Sequence, residues 1–199
     1  MDNNEKENLN SRIWQTKGSR FNAYRRLAKR NSILTFVTSL SSIHLLSIGI
    51  IQLSHLIIIT QNQSQWLSFT SIILSIIILA YSLFESGKEH GLKSEKHHLC
   101  ALELDKCYSK LQFITQDKTT ELSKLAEDYN EIKQKHLLNH EPIDNDYFQL
   151  EHLNDFDEMK SKNVIKRWMI SFSYKYYDIL IAGIFICIPL SISIFILSR

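Results

Sequence analysis

The sequence predicts an all-α membrane protein: a transmembrane helical hairpin, a cytosolic helical bundle and a C-terminal transmembrane helix. Asn8 to Phe84 holds no Asp or Glu, and it contains two long apolar stretches, Ile33–Ile59 and Trp66–Phe84. A third stretch, Ile179–Leu197, follows at the far end. Each approaches or exceeds the roughly 20 residues that a helix needs to cross a bilayer core. The 199 residues include only five Gly and two Pro, which favours long uninterrupted helices over a β or loop-rich fold.

The mean hydropathy of −0.14 and the net charge of +2 resemble those of a soluble protein, but the averages hide segregation. Seven basic residues lie between Asn8 and the first apolar stretch, and residues 116–160 hold twelve acids. The first apolar stretch starts too late and runs too long for a secretory signal peptide, and it lacks a small-residue cleavage pattern. The three cysteines, Cys100, Cys107 and Cys187, form no disulfide framework, so reduced thiols in a cytosolic compartment are expected.

The expected organisation is a basic cytosolic helix over 1–32, the transmembrane hairpin over 33–84, a cytosolic helical region over 85–176 and the last span over 177–199. Met1–Asn10 is polar and expected to fray. Ser11–Asn31 reads as a basic helix, with Ile13, Trp14, Phe21, Tyr24 and Leu27 as its apolar bulk. It suits either the anionic inner leaflet or the acid-rich helices of the chain itself, and the second fits better because those acids need a partner.

Topology follows from charge. Positive residues precede the first span, the connector Thr60–Gln65 is uncharged, and Lys88, Lys93, Lys96, Lys162, Lys166, Arg167 and Lys175 flank the other two spans. The positive-inside rule then places the amino terminus and residues 85–176 in the cytoplasm.

In the cytosolic region, Cys100, Leu104, Cys107, Leu111 and Ile114 form one heptad-like seam and Leu122, Leu125, Tyr129, Ile132 and His136 form another. Two helices are expected, Glu89 to about Thr115 and about Thr119 to Leu138, packed antiparallel or in an oligomeric bundle, with Asp117 as a cap. Asn139–Tyr147 (NHEPIDNDY) reads as a turn, with a further helix from about Tyr147 and a break near Lys160–Asn163. Asn139, His140 and Asp146 fit a hydrogen-bonded structural or sensing turn in which the Asp orients the imidazole, and the structural role is the commoner use of such residues.

The first span is unusually polar. His44 and His55 fall on nearly one face, flanked by Ser41, Ser47, Gln52 and Ser54. Polar groups in hydrocarbon face protein or water, so this face either lines a pore in an assembly or bonds neighbouring helices. Ser68, Ser71, Ser75 and Ser82 mark the second span, and small residues on one face permit close helix packing. In the third span Pro189 can introduce a kink, and Asp178 sits at the cytoplasmic edge where it need not be buried.

No GxGxxG, P-loop, HExxH or GxSxG motif is present, so no enzyme, catalytic residue or cofactor is expected. His97, His98, Cys100 and Cys107 come closest to a metal cluster, but thiols on a seam are ordinarily small core residues, and no metal is expected. Direct nucleic-acid binding is not expected either.

The basic arm RIWQTKGSRFNAYRRLAKRN leads directly into the first span. A second span follows after a short turn, and then come ALELDKCYSKL (Ala101–Leu111) and the NHEPIDNDY turn. Over about residues 11–170 this order resembles the SLATT family of bacterial two-span effectors, in the branch found beside reverse transcriptases. The resemblance implies an inner-membrane protein of anti-phage defence that forms a homo-oligomeric pore and kills or arrests the infected cell. It also implies a partner that senses invasion, a pore lined by the polar face of the first span, and cytosolic helices that oligomerise and receive the signal. The span at Ile179–Leu197 departs from the two-span pattern. The competing reading is a membrane anchor that recruits a soluble partner such as a reverse transcriptase. A transporter fits less well, since no inverted repeat or broken helix pair is present.

Overall fold

The computed structural model describes residues 3–54, 58–114 and 119–198. Their order is α1 (Asn3–Ser54), α2 (Gln61–Ser86), α3 (His90–Phe113), α4 (Thr119–His136), α5 (Pro142–Glu151), a 3-10 turn (Leu153–Asp155), α6 (Asp157–Ser161) and α7 (Val164–Leu197). Two sequence-based expectations, Asp117 as a cap and His55 on the polar face, fall outside the described residues.

α1 is one unbroken helix. The basic stretch and the first apolar run are therefore continuous, and the start expected to fray is helical from Asn3. The physical reason is burial: Leu9 and Ile13, one turn apart, are 6% and 0% exposed. The connector is also shorter than expected, because Thr60 caps α2. Thr60 Oγ1 accepts from the Gln63 N–H at 3.3 Å, and Gln63 Oε1 accepts from the Thr60 N–H at 2.8 Å, which makes Gln61–Gln65 the opening of the helix.

The turn expected over Asn139–Tyr147 ends early. Pro142 opens α5, where its missing N–H costs no helical bond, and Asp144 Oδ2 accepts from the Glu141 N–H at 3.0 Å. The expected break near Lys160–Asn163 is present: α6 stops at Ser161 and α7 begins at Val164.

The chain divides into two units, residues 1–28 with 91–175, and residues 29–90 with 176–199. In the first, Leu9 and Ile13 join Cys100, Leu104, Cys107, Leu111, Leu125 and Tyr129 in one buried cluster, with Ile114, Leu122 and Ile132 against it. The two seams thus meet each other and also the start of α1. α3 and α4 run antiparallel, since Glu103 pairs with Lys135 at 2.7 Å and Lys110 lies 3.9 Å from Asp128. The basic arm pairs with the chain's own acids: Lys17 reaches Asp105 at 2.9 Å, and Arg26 reaches Glu141 at 3.0 Å as well as Asp144. Trp14 sits among Phe148, His152 and Phe156, with ring centroids 4.8, 4.9 and 5.8 Å away.

The second unit holds the apolar parts of α1, α2 and α7. Among the described residues, Glu5–Ser54, Gln61–Phe113 and Val164–Leu197 each contain a window long and apolar enough to cross a membrane. Only 17%, 6% and 11% of those windows are buried within the chain, so their apolar surface is available to lipid or to other copies.

Candidate functional site

The apolar unit is tied by polar contacts at three levels, and these contacts decide where the polar residues of the first span point. At the basic end of the apolar run, Arg30 of α1 reaches Glu85 of α2 through Nη2–Oε2 at 3.1 Å and Nε–Oε2 at 3.3 Å. Arg30 Nε also lies 3.8 Å from Asp178 of α7. Glu85 is 4% exposed and also binds Lys88, and His90 Nε2 lies 3.0 Å from its Oε2. Asp178, expected at an open edge, is mostly covered because its charge is drawn to Arg30.

At the middle level Val37, Ser41 and Ile48 are buried on one face of α1. His44 Nε2 lies 3.2 Å from Ser193 Oγ, and Ser193 donates its hydroxyl to the Pro189 carbonyl at 3.0 Å. A hydroxyl has one proton, so His44 must donate from Nε2–H to Ser193. Pro189 lacks an N–H, so the Phe185 carbonyl loses its helical donor. Ser41 Oγ is buried without a hydrogen-bond partner. A cavity of about 190 Å³ opens here, lined by Ser41, His44, Phe185 and Pro189 among apolar residues.

At the third level Gln52 Nε2 donates to the Ser64 carbonyl at 2.9 Å and to Ser68 Oγ at 3.1 Å. Gln63 Nε2 reaches the Ile196 and Leu197 carbonyls, both at 3.4 Å.

The stripe expected on the first span is therefore split. Ser41, His44 and Gln52 turn toward α7 or α2. Ser47 and Ser54 are exposed, and Ser47 donates to its own Ile43 carbonyl at 2.9 Å. Ser42 is likewise exposed and bonded to the Thr38 carbonyl at 2.8 Å, as is Thr35 to the Asn31 carbonyl at 3.0 Å. On α2, Ser71 and Ser82 are half-buried on the face of Leu67 and Glu85. Ser68 and Ser75 are exposed, and Ser75 is bonded to the Ile72 carbonyl at 2.7 Å.

In the other unit Asn139 is exposed and His140 is half-buried, with Nδ1 unpartnered. Asp146 faces Lys162 at 3.7 Å, and the buried carboxylate of the segment is Asp144. Among the described residues no group of three or more His, Cys, Asp or Glu is placed to hold a metal.

Sequence reasoning missed Arg30, Glu85, Ser193 and Asp144. Glu85 carried a usable signal as the first acid after a long acid-free stretch. Asp144 carried another, two residues after a proline, where a helix start is capped.

Three apolar helices long enough to span a membrane, joined by polar bonds, make this an all-α protein of membrane-associated character. The chain belongs to the SMODS and SLOG-associating 2TM effector domain family 5, whose family model matches residues 2–195. The match extends through most of the third apolar helix, so that helix is not an addition outside the family region. No curated protein and no solved structure matches the chain.

Proposed function

We propose that this chain is a membrane effector of bacterial anti-phage defence that assembles as a homo-oligomer in the inner membrane and opens a pore, depolarising or killing the infected cell. The amino terminus and residues 85–176 lie in the cytoplasm, consistent with the placement of Lys and Arg around the spans. The observation that carries the reading is the set of exposed hydroxyls on α1, Thr35 and Ser42 on one line and Ser47 about 140° round the helix from Ser42, within a surface that the single chain leaves open. Each hydroxyl bonds its own backbone, so it needs no fixed partner and tolerates a changing neighbour such as water in a conduction path. In the same assembly Ser54, seven residues from Ser47, lies along the path, and Ser41, His44 and Gln52 hold the helices together behind it. Killing rests on conduction, with no catalytic step.

Induced expression with a membrane-potential dye tests this. Wild type depolarises cells, whereas Ser42→Leu and Ser47→Leu, which leave the His44–Ser193 and Gln52 bonds untouched, insert normally and do not. Full depolarisation by both variants contradicts the lining.

One observation favours a second reading, a membrane anchor that recruits a soluble partner such as a reverse transcriptase. Ile165, Trp168 and Met169 lie close together on α7 and are 65%, 62% and 58% exposed. Under that reading a triggered defence response proceeds at normal potential, and Trp168→Ala abolishes it.

A further inference from the structure

The unit of residues 1–28 and 91–175 buries a positive charge that it leaves unneutralised. Arg20 is 3% exposed. Its Nη1 lies 3.1 Å from His97 Nδ1, and a guanidinium only donates, so His97 accepts there and is neutral. Arg20 Nε is buried with no protein partner. Among the described residues no carboxylate comes within ion-pairing distance of it, although the unit is rich in acids. Lys17 has Asp105 and Arg26 has Asp144 and Glu141. Asp144 is already committed to Arg26 and to the Glu141 N–H. A buried cation without a counter-charge is costly unless something supplies the charge.

A second buried polar atom, on a residue whose charge acts on His97, also lacks a partner. His140 Nδ1 is buried without a partner. Burial first, and then the charge of Arg20, lower the pKa of His97 to about 4, and the same two causes lower that of His140. These groups come from α1, α3 and the α4–α5 connector. The connector is not helical, so a small ligand can enter without unwinding a helix.

We propose that Arg20, His97 and His140 form a buried anion site that takes one phosphate-type oxyanion, either inorganic phosphate or the terminal group of a phosphomonoester. A bound dianion reverses the field that keeps the imidazoles neutral, so binding takes up protons. The other titratable and charged groups acting on this cluster are Arg26 of α1, Cys100 of α3, Tyr129, Lys133 and His136 of α4, and Asp144 at α5; Glu103 and Lys135 act on Cys100, and Glu141 acts on Arg26. Cys100 is held neutral by burial, and Glu103, Glu141 and Asp144 have cationic partners already.

The test is calorimetry of the full chain in detergent, titrated with inorganic phosphate and separately with glycerol phosphate, at about pH 6.5 and 7.5 in two buffers of different ionisation enthalpy. Saturable heat with proton uptake is expected at both pH values. Tighter binding of phosphate than of glycerol phosphate marks the free ion as the ligand, and the reverse marks the ester. Arg20→Gln should weaken binding by about tenfold or more. His140→Gln, which breaks no protein hydrogen bond at Nδ1, should keep the fold and reduce the proton uptake. No saturable heat with either probe up to about 10 mM overturns the proposal. So does undiminished binding by both variants, or heat independent of the buffer. None of these readouts requires conduction.

Discussion

Arg26 grips Asp144 at two points, Nε to Oδ1 at 2.8 Å and Nη2 to Oδ2 at 3.0 Å, with the carboxylate wholly shielded from solvent. The same carboxylate caps α5 through the Glu141 N–H, and Asn22 Nδ2 donates to the Asp144 carbonyl at 3.2 Å. One residue thus fixes both the start of α5 and its seat on α1. Asp144→Asn keeps the size, removes the buried charge and leaves the Arg26 guanidinium with only the exposed Glu141 as counter-ion. Stability should fall by about 3–5 kcal/mol. Thermal unfolding of the full chain in detergent, followed by circular dichroism, checks this, and an unchanged midpoint contradicts it.

Gly18 faces the Phe148 ring so closely that an added Cβ would lie 2.0 Å from Cε2. The glycine is there for space, since it sits inside a regular helix. Gly18→Ala should destabilise by about 1–3 kcal/mol, as overpacking does. Phe148→Leu on that background should recover part of the loss, and the double-mutant cycle reads the coupling.

Acid should weaken the unit that contains His97. The pKa of His97 is lowered to about 4 by burial and by Arg20, against about 6.5 in an unfolded chain. A depressed histidine stabilises the fold above its unfolded pKa, and that contribution is lost as pH falls from about 6.5 toward 4, because the unfolded state takes up the proton first. The loss is on the order of 2–4 kcal/mol. Denaturant midpoints measured across this window should slope for wild type and slope less for His97→Gln, the remainder coming from His140. Glu103, lowered by Lys135 and then His136, adds an acid-side loss below about pH 4.3 that is under about 1 kcal/mol because the pair is exposed.

Glu85→Gln should loosen the apolar unit. It removes the buried charge on which Arg30, Lys88 and His90 converge, leaving Arg30 with Asp178 at 3.8 Å. Resistance to unfolding by SDS in mixed micelles should drop by about 2–4 kcal/mol, with helix content retained before the transition. Equal resistance would show that apolar packing alone holds these helices.

Much of this architecture was legible in composition and spacing. The three apolar runs need only length and hydropathy to be seen, and the Cys100–Ile114 and Leu122–Ile132 seams need only a heptad count; both patterns occur in the structure. What escaped were the choices that depend on a distant partner. Whether Ser41 or Ser42 faces protein is set by where α7 lies, and the two are adjacent in sequence. The pairing of His44 with Ser193 spans nearly the whole chain, so no local period encodes it. Asp146 and Asp144 are equally plausible as the buried carboxylate until Arg26 is placed. The polar start of α1 read as frayed because its apolar contribution is thin: Leu9 and Ile13 are buried only once α3 and α4 supply the rest of the core.

The most direct measurement of the central claim is the current across a planar bilayer into which the purified full-length chain has been reconstituted, with native mass recorded from the same lipid. An assembly of several copies that conducts is expected, with conduction lost in Ser42→Leu and Ser47→Leu while the assembly remains. A monomer in lipid that carries no current, under conditions where the intact system arrests cells, would contradict it.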